Sequence, residues 1–224
     1  MTVYATAEEL RLMIGMNSSA KNPYLLTCLE AASEAIDAYC NRPDGFVALV
    51  AATTRTYPGT GREYQHIDEC TQVTAVAVKD SPGDTTYVSW AATDWVAFRG
   101  SPKSPNFNHT PYHALMVAAG GDYALFTDGR YVIRGGSTLE NEVTRVVPTV
   151  QITAKWGYAT TCPSRIHTAA MAQASRWWKR FQSGGFADMS VNAELGDLAF
   201  KLQGKPLDPD IAMMLTRLIR PVAA

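Results

Sequence analysis

The sequence lacks the features of a membrane protein, a secreted protein or a strongly cationic protein. No apolar run approaches the roughly 20 residues that a helix needs to cross a bilayer, and the N-terminus has no basic stretch followed by an apolar one. The net charge is -1 and the isoelectric point is near 6.4. Tight nucleic-acid binding is not predicted, because it depends on an excess of lysine and arginine facing the phosphates. We expect a protein that is made and folded in the cytoplasm.

Cysteine pairs are also missing. Cys28, Cys40, Cys70 and Cys162 stand singly, without a Cys-x-x-Cys spacing or a histidine at zinc-finger distance. Cys28 and Cys40 fall in one predicted helix and would lie about 18 Å apart, which is too far for a disulfide. The four cysteines are expected to be small buried thiols.

Sequence motifs of catalysis are absent. The chain has no Gly-x-Ser-x-Gly, no Gly-x-x-x-x-Gly-Lys, and no Gly-x-Gly-x-x-Gly after a strand. The Gly59-Thr60-Gly61 segment is expected to be a β-turn. We therefore predict neither an enzyme nor a cofactor site.

Histidines offer two further candidate sites. His109 and His113 are four residues apart, but Pro111 lies between them and makes a helical metal pair improbable. A zinc site in this loop would need a third ligand. His66 and Asp68 could share one face of a strand, where a solvated pair is expected rather than a catalytic one. No metal site is predicted.

Both ends of the chain carry signals for helices. Thr6 and Glu9 form a capping box for a short helix that should end at Gly15. A second helix should begin with Asn22 as its cap and run to about Asn41. Its predicted core face comprises Leu25, Leu29, Ala32, Ile36 and Tyr39, and its predicted solvent face comprises Glu30, Glu34 and Asp37.

The middle of the chain has the composition and alternation typical of β-strands. From about Thr53 onward, valine, threonine and aromatic residues alternate between turns rich in Gly, Pro and Asp. Short strands are predicted at 87–95 and 123–126, and the turn at 127–130 should join two strands as a hairpin. The polar stretch 101–112 should be a long exposed loop.

A strand, turn and long helix follow from residue 143. The strand should alternate up to Trp156 with a break at Pro148, and the helix should begin near Pro163 and end before Gly184. Its predicted apolar stripe comprises Ile166, Ala170, Ala174, Trp177 and Phe181. Beyond it, residues 186–205 should be irregular.

A final helix should begin at Asp208-Pro209-Asp210 and end at Pro221, with Ile211, Met214, Leu215 and Leu218 on one face. Because the terminal helices are short, we expect them to pack together. The predicted fold class is α+β. It consists of a helical core from residues 1–50 and 160–224 with an inserted antiparallel β region at 51–159.

Aromatic and basic side chains gather at the end of the long helix. They could stack on bases, but a core position for Trp177 and a solvated or interface position for the cations are favoured. Trp178 lies off the apolar stripe, and tryptophan is frequent at interface hot spots. The predicted protein interface comprises Trp178, Arg176, Lys179, Arg180, Arg217 and Arg220.

Two segments, residues 5–42 and 147–220, resemble the head-to-tail connector (adaptor) proteins of tailed bacteriophages. The first contains LLTCLEAASEAIDAYCNR, and the second contains VQITAKWGYATTCPSRIHTAAMAQASRWWKR and DPDIAMMLTRLIRP. The most specific part is the strand, the Trp156-Gly157-Tyr158 turn, Pro163 and the helix. The β region is longer than in minimal members of that family.

The resemblance implies a structural virion protein at the neck. Such proteins have a helical core and dock as a ring, expected to be twelvefold, beneath the portal protein at the capsid vertex. They contact the portal and the next neck protein, and double-stranded DNA passes through the ring without sequence-specific binding. The near-neutral charge of this chain suits a channel through which DNA must slide.

Two other functions stay open at the level of sequence. One is a different neck or tail protein, such as a head-closure or tail-completion protein. The other is a carbohydrate-binding module on the β region, with Trp90, Trp95 and Tyr112 as a platform for a sugar ring.

Overall fold

The computed structural model describes residues 2–99, 109–134, 142–182 and 207–220. These residues fall into two compact units. The helical unit lies within residues 1–47 and 161–224, and the β unit spans residues 48–160. Helices in one unit and antiparallel strands in the other make this an α+β protein, as the sequence predicts.

The described part of the helical unit has four α-helices: α1 (Ala7–Met13), α2 (Asn22–Tyr39), α3 (Ser164–Gln182) and α4 (Pro209–Leu215). Single 3₁₀ turns lie at Ser19–Lys21 and Thr216–Leu218. Helix α3 packs against α1, α2 and α4, so helices from both ends of the chain form one bundle. This confirms the predicted pairing of the terminal helices.

Local capping explains where α1 begins. The Thr6 hydroxyl accepts a hydrogen bond from the Glu9 backbone N–H at 3.2 Å, and the Glu9 carboxylate accepts one from the Thr6 backbone N–H at 2.7 Å. The chain leaves the helix through Gly15, whose φ is 73°. Asn22, predicted as the cap of α2, lies inside that helix instead, because the preceding polar residues form a 3₁₀ turn capped by Ser18.

The core of the helical unit lies between α1, α2 and α3. It contains Leu10, Leu25, Leu29, Ala32, Met171, Ala174 and Trp178. The predicted core face of α2 is correct from Leu25 to Ile36. On α3 the stripe is correct at Ile166, Ala170 and Ala174, but Phe181 is 53% exposed. The apolar stripe continues towards the C-terminal end of α3, beyond the part of the helix that neighbouring helices cover.

Two antiparallel sheets make up the β unit. Its strands are β1 (Thr53–Tyr57), β2 (Tyr64–Val78), β3 (Val88–Ser89), β4 (Trp95–Phe98), β5 (Tyr112–Val117), β6 (Arg130–Arg134), β7 (Glu142–Val146) and β8 (Val150–Trp156). The larger sheet has the order β1-β8-β2-β5-β4, with β3 paired to β2. Strands β6 and β7 form the second, two-stranded sheet.

Pro148 separates two strands that belong to different sheets, so the predicted break is confirmed. The long strand β2 shifts register near Cys70, Gln72 and Val73 where it pairs with β5 and β8. Such bulges let one strand bend and serve different partners along its length. Strand β8 alternates buried and half-buried residues, and Trp156 at its end is fully buried.

Two predicted strands and one predicted turn are wrong. Residues 123–126 are irregular, because the Phe126 N–H donates to the Arg62 carbonyl at 2.9 Å outside any ladder. Residues 127–130 do not form a hairpin turn, because β6 begins at Arg130 but no strand directly precedes Thr127. The strand predicted at 87–95 is divided into β3 and the start of β4 at Trp95, because Asp94 accepts a hydrogen bond from the Ala91 N–H at 2.8 Å and closes a turn between them.

Several predictions fall on residues outside the described ones. These are most of the loop at 101–112, the helix stop at Gly184, the irregular segment 186–205 and the stop at Pro221. The four cysteines are free thiols; Cys40 and Cys70 are buried as expected, whereas Cys28 and Cys162 are only half-buried. None of the described helices is both long and apolar enough to cross a membrane.

Candidate functional site

The structure reverses the predicted roles of the two adjacent tryptophans in α3. Trp178 is 3% exposed and belongs to the core of the helical unit, whereas Trp177 is only partly buried against the same core. The prediction of Trp178 as an exposed interface residue is therefore wrong. Helix α3 has neighbours on several sides, so its buried sector is wider than the single stripe that the spacing suggested.

Two of the predicted interface cations are held by acids of the same unit. The Asp208 carboxylate lies 3.2 Å from Arg176 Nη1 and 2.9 Å from Arg180 Nη2. Asp210 accepts two hydrogen bonds from the Arg176 guanidinium, and these lower the pKa of Asp210 to about 2. Neither arginine is a simple solvated cation.

The same acids begin helix α4 and therefore attach it to α3. Gln173 of α3 is buried, and its Oε1 accepts a hydrogen bond from the Asp208 backbone N–H at 3.1 Å. Arg176 adds charged contacts at the first turn of α4, where carboxylates are favoured by the helix dipole. This cluster, formed by Gln173, Arg176, Arg180, Asp208 and Asp210, explains why the final helix returns to the bundle.

The remaining predicted interface residues differ in exposure. Lys179 and Arg217 are exposed, and Arg220 is half-buried. The Arg220 N–H donates to the Cys40 carbonyl at 2.9 Å, so this residue also ties the last described segment to the end of α2. The structure thus brings Arg176 and Arg180 together at the acids of α4, whereas Lys179 is exposed.

Large apolar side chains are exposed at several points on the helical unit. Met213 of α4 is 75% exposed, and Phe181 and Tyr24 are each 53% exposed. The rings of Phe181 and Tyr24 stack at 6.3 Å, and the Phe181 ring stacks on Trp178 at 5.7 Å. These three rings form an aromatic ladder from the core to the surface. Exposed apolar groups of this size are typical of surfaces that other protein subunits cover.

A buried hydrogen-bond network ties the N-terminal segment to α2, and the sequence did not predict it. The Tyr4 hydroxyl donates to the Asp37 carboxylate and accepts from the Phe46 N–H at 2.9 Å. Asp37 was expected on the solvent face of α2. Instead, partial burial raises its pKa to about 6, against the opposing effect of the Tyr4 hydrogen bond. Arg42 is buried beside it with its guanidinium 4.9 Å from the Phe46 ring centre.

This raised pKa predicts that Asp37 makes stability depend on pH. A carboxyl with a higher pKa in the folded state binds its proton more tightly there than in the unfolded chain. Its effect on the free energy of unfolding is therefore most favourable below pH 4 and is lost as the pH rises through 6. Because the group is partly exposed, we expect a loss of about 1 kcal/mol.

The measurement compares wild-type protein with Asp37→Asn by urea unfolding at pH 4, 5, 6 and 7. The difference in unfolding free energy between the two proteins should change in favour of Asp37→Asn as the pH rises. Asn can still accept the Tyr4 hydrogen bond, so the comparison isolates the charge. A difference that stays constant across this pH range would contradict the prediction.

The other candidate sites from the sequence are not assembled. Among the residues that the structure describes, no three His, Cys, Asp or Glu side chains form a group able to hold a metal ion. Asp68, expected in a solvated pair with His66, binds Arg55 Nη1 and the Tyr57 hydroxyl, each at 2.9 Å. Both partners lie on β1, and β8 separates β1 from β2 in the sheet.

The proposed sugar platform is also corrected. Trp90 is 7% exposed and stacks on Tyr123 at 4.2 Å and on Phe126 at 5.0 Å. Trp95 and Tyr112 are half-buried against the same core. Because these rings face the interior of the β unit, they do not form an open platform for a sugar.

Comparison with known proteins gives limited results. No protein-family model and no curated protein matches the chain. Among solved structures, one similar chain comes from the neck of an empty GTA particle computed with C6 symmetry. It matches with a TM-score of 0.47 and 14% identity, over 80% of this chain and 81% of that chain. A likeness of this size identifies neither a common family nor a common function.

Proposed function

We propose that this chain is a structural protein of the neck of a tailed phage-like particle, where it acts as a head-to-tail connector. The observation that carries the proposal is the surface of the helical unit. This unit is built from both ends of the chain and exposes aromatic and apolar side chains, including Tyr24, Phe181 and Met213. Tyr24 and Phe181 stack on each other and form one contiguous apolar patch, which is typical of a surface that a neighbouring subunit covers.

The segments that build this unit are the ones that resemble connector proteins. Residues 5–42 provide α1 and α2, and residues 147–220 provide α3 and α4 together with β8 of the β unit. The resemblance and the exposed surface therefore concern the same helices. In this role the chain makes and breaks no bonds, and its usefulness lies in its shape and its contacts.

Its partners would be the portal protein above, a head-closure or tail-completion protein below, and further copies of the chain in a twelvefold ring. Its location would be the portal vertex of the virion. Double-stranded DNA would pass through the ring. The near balance of 20 basic and 21 acidic residues supports passage rather than tight binding.

The proposal is tested by mixing the purified protein with a portal ring and measuring co-sedimentation. We expect binding, and we expect Phe181→Ser combined with Met213→Ser to weaken it at least tenfold, because both exposed apolar contacts are lost. A matched control is Val50→Ser, which removes a 93% exposed apolar side chain from the β unit. Failure of the wild-type protein to bind any portal ring would contradict the connector role.

Electron microscopy of particles made without this protein separates the connector from a downstream neck protein. Loss of a connector should give full heads without attached tails. Sealed heads beside unattached tails would instead support a head-closure or tail-completion role.

A further inference from the structure

The two longest helices of the helical unit carry charges of opposite sign. Helix α2 contains Glu30, Glu34 and Asp37 but no lysine or arginine. Helix α3 contains four basic residues but no aspartate or glutamate; they are Arg165, Arg176, Lys179 and Arg180. Surface helices usually mix both signs and pair them within one helix. The separation seen here leaves each helix without charges of opposite sign among its own aspartate, glutamate, lysine and arginine residues.

Partners within the chain account for only some of these charges. Asp37 binds Tyr4, and Arg176 and Arg180 bind the acids of α4. Glu30 and Glu34 of α2 are exposed and take part in no ion pair with the described residues. The same holds for Arg165 and Lys179 of α3. Two acids and two bases therefore remain on the surface of one unit.

Their positions are suited to contact between helices. Glu30 and Glu34 are one turn apart, about 6 Å along the axis of α2. Arg165 and Lys179 lie about 21 Å apart along α3. Small residues that are not buried lie between them, among them the exposed Thr168 and, one turn further along the helix, the half-buried Ala172. The long side chains of Arg165 and Lys179 can lean inward over these small residues and bracket two closely spaced carboxylates.

We propose that the outward face of α2 in one copy docks on the outward face of α3 in the next copy. The inference rests on the proposed function, because a ring is a head-to-tail series of such contacts. A second copy is the occupant that the charges favour: each copy offers both faces, with equal and opposite unpaired charge. Among the described residues each face carries two unpaired charges, and Arg176 and Arg180 are neutralised by Asp208 and Asp210, so the contact is electrically balanced.

Nucleic acid is the other occupant that a basic face could suit. Arg176 and Arg180 are already engaged by Asp208 and Asp210, which leaves two cations of α3 without an ion-pair partner in the described part of the chain. Two phosphate contacts give only weak, strongly salt-dependent binding. A second protein copy also accounts for the acidic face of α2, which DNA would repel.

The test uses the full chain with charge reversals on either face. The acid-reversed variant carries Glu30→Lys and Glu34→Lys, and the base-reversed variant carries Arg165→Glu and Lys179→Glu. A third variant carries all four changes. The control carries Glu63→Lys and Asp80→Lys, which change the net charge as much as the acid-reversed variant does, but at exposed positions of the β unit. Self-association is measured by analytical ultracentrifugation, and thermal melting verifies that each variant folds.

Like charges should face each other in each singly reversed variant, so we expect its self-association to weaken at least tenfold. Association should return in the four-change variant and in an equimolar mixture of the two singly reversed proteins, because opposite charges face each other again. The control should match the wild type. Normal association of both singly reversed variants, no return in the four-change variant, or no self-association of the wild type would overturn the inference.

Two further measurements keep this inference separate from the proposed function. The first counts the copies bound per portal ring. Full occupancy by both singly reversed variants would contradict the proposed contact between α2 and α3 but not the connector role. Absence of wild-type binding would contradict the connector role. The second measures binding to double-stranded DNA. Loss of DNA binding in the base-reversed variant, with unchanged self-association, would assign the α3 face to DNA.

Discussion

Replacing Trp178 with alanine should lower the free energy of unfolding of the helical unit by about 3 to 5 kcal/mol. Its indole is 3% exposed and packs in the core with residues of α1, α2 and α3. Removing the ring deletes a large buried apolar surface and leaves a cavity that neighbours on several helices cannot fill together. Urea unfolding followed by far-ultraviolet circular dichroism measures the change.

Trp177 provides the matched control, because it is also a tryptophan and lies one position away on the same helix. Its side chain is only partly buried, so Trp177→Ala should cost about half as much or less. An equal loss of stability in the two variants would show that the burial of Trp178 is not what distinguishes them. A Trp178→Ala protein that unfolds like the wild type would place this ring outside the core.

The two tryptophans also show what a sequence can and cannot predict. The start of α1 at the Thr6 capping box and the start of α3 after Pro163 depend on neighbours in the chain, so local rules found them. The burial of Trp178 depends on which helices surround α3. That arrangement is set by contacts between distant segments, and a single apolar stripe does not describe it.

Long-range partners explain the other errors. Asp37 has the spacing of a solvent-facing residue, yet its partner Tyr4 is 33 residues away in the sequence. Residues 123–126 have the aromatic composition of a strand, but the Phe126 N–H is taken by Arg62 from another loop. Strand propensity reflects how well side chains fit a sheet and does not decide whether a sheet is adjacent.

Long-range partners also change the charge of the predicted interface. Clustered cations near the end of α3 are visible in the sequence, but Asp208 and Asp210 lie about 30 residues further on and neutralise two of them. Charge composition therefore overestimates how basic this surface is. The unpaired charges of α2 and α3 became visible only after the internal partners were assigned.

Gly59→Ala should have a similarly large effect in the β unit. A Cβ atom at this position would lie 1.8 Å from the Thr127 carbonyl oxygen and 2.6 Å from Thr149 Oγ1. The backbone must approach this closely because Thr149 Oγ1 accepts from the Gly59 N–H at 2.9 Å and donates to the Thr127 carbonyl at 2.7 Å. Any side chain at this position would push these segments apart and break hydrogen bonds between buried groups. We expect a loss of about 3 kcal/mol in unfolding free energy.

Gly83→Ala is the control, since a Cβ there meets only Ser81 Oγ, at 3.9 Å, within van der Waals range. It should change stability by less than about 0.5 kcal/mol. Gly129→Ala should repeat the effect of Gly59→Ala, because its Cβ would lie 2.7 Å from the Val147 carbonyl oxygen. Hydrogen exchange of β8 reports the change, because Thr149 precedes that strand directly. Equal protection of β8 in the Gly59 and Gly83 variants would mean that the close approach at Gly59 does not hold the β unit together.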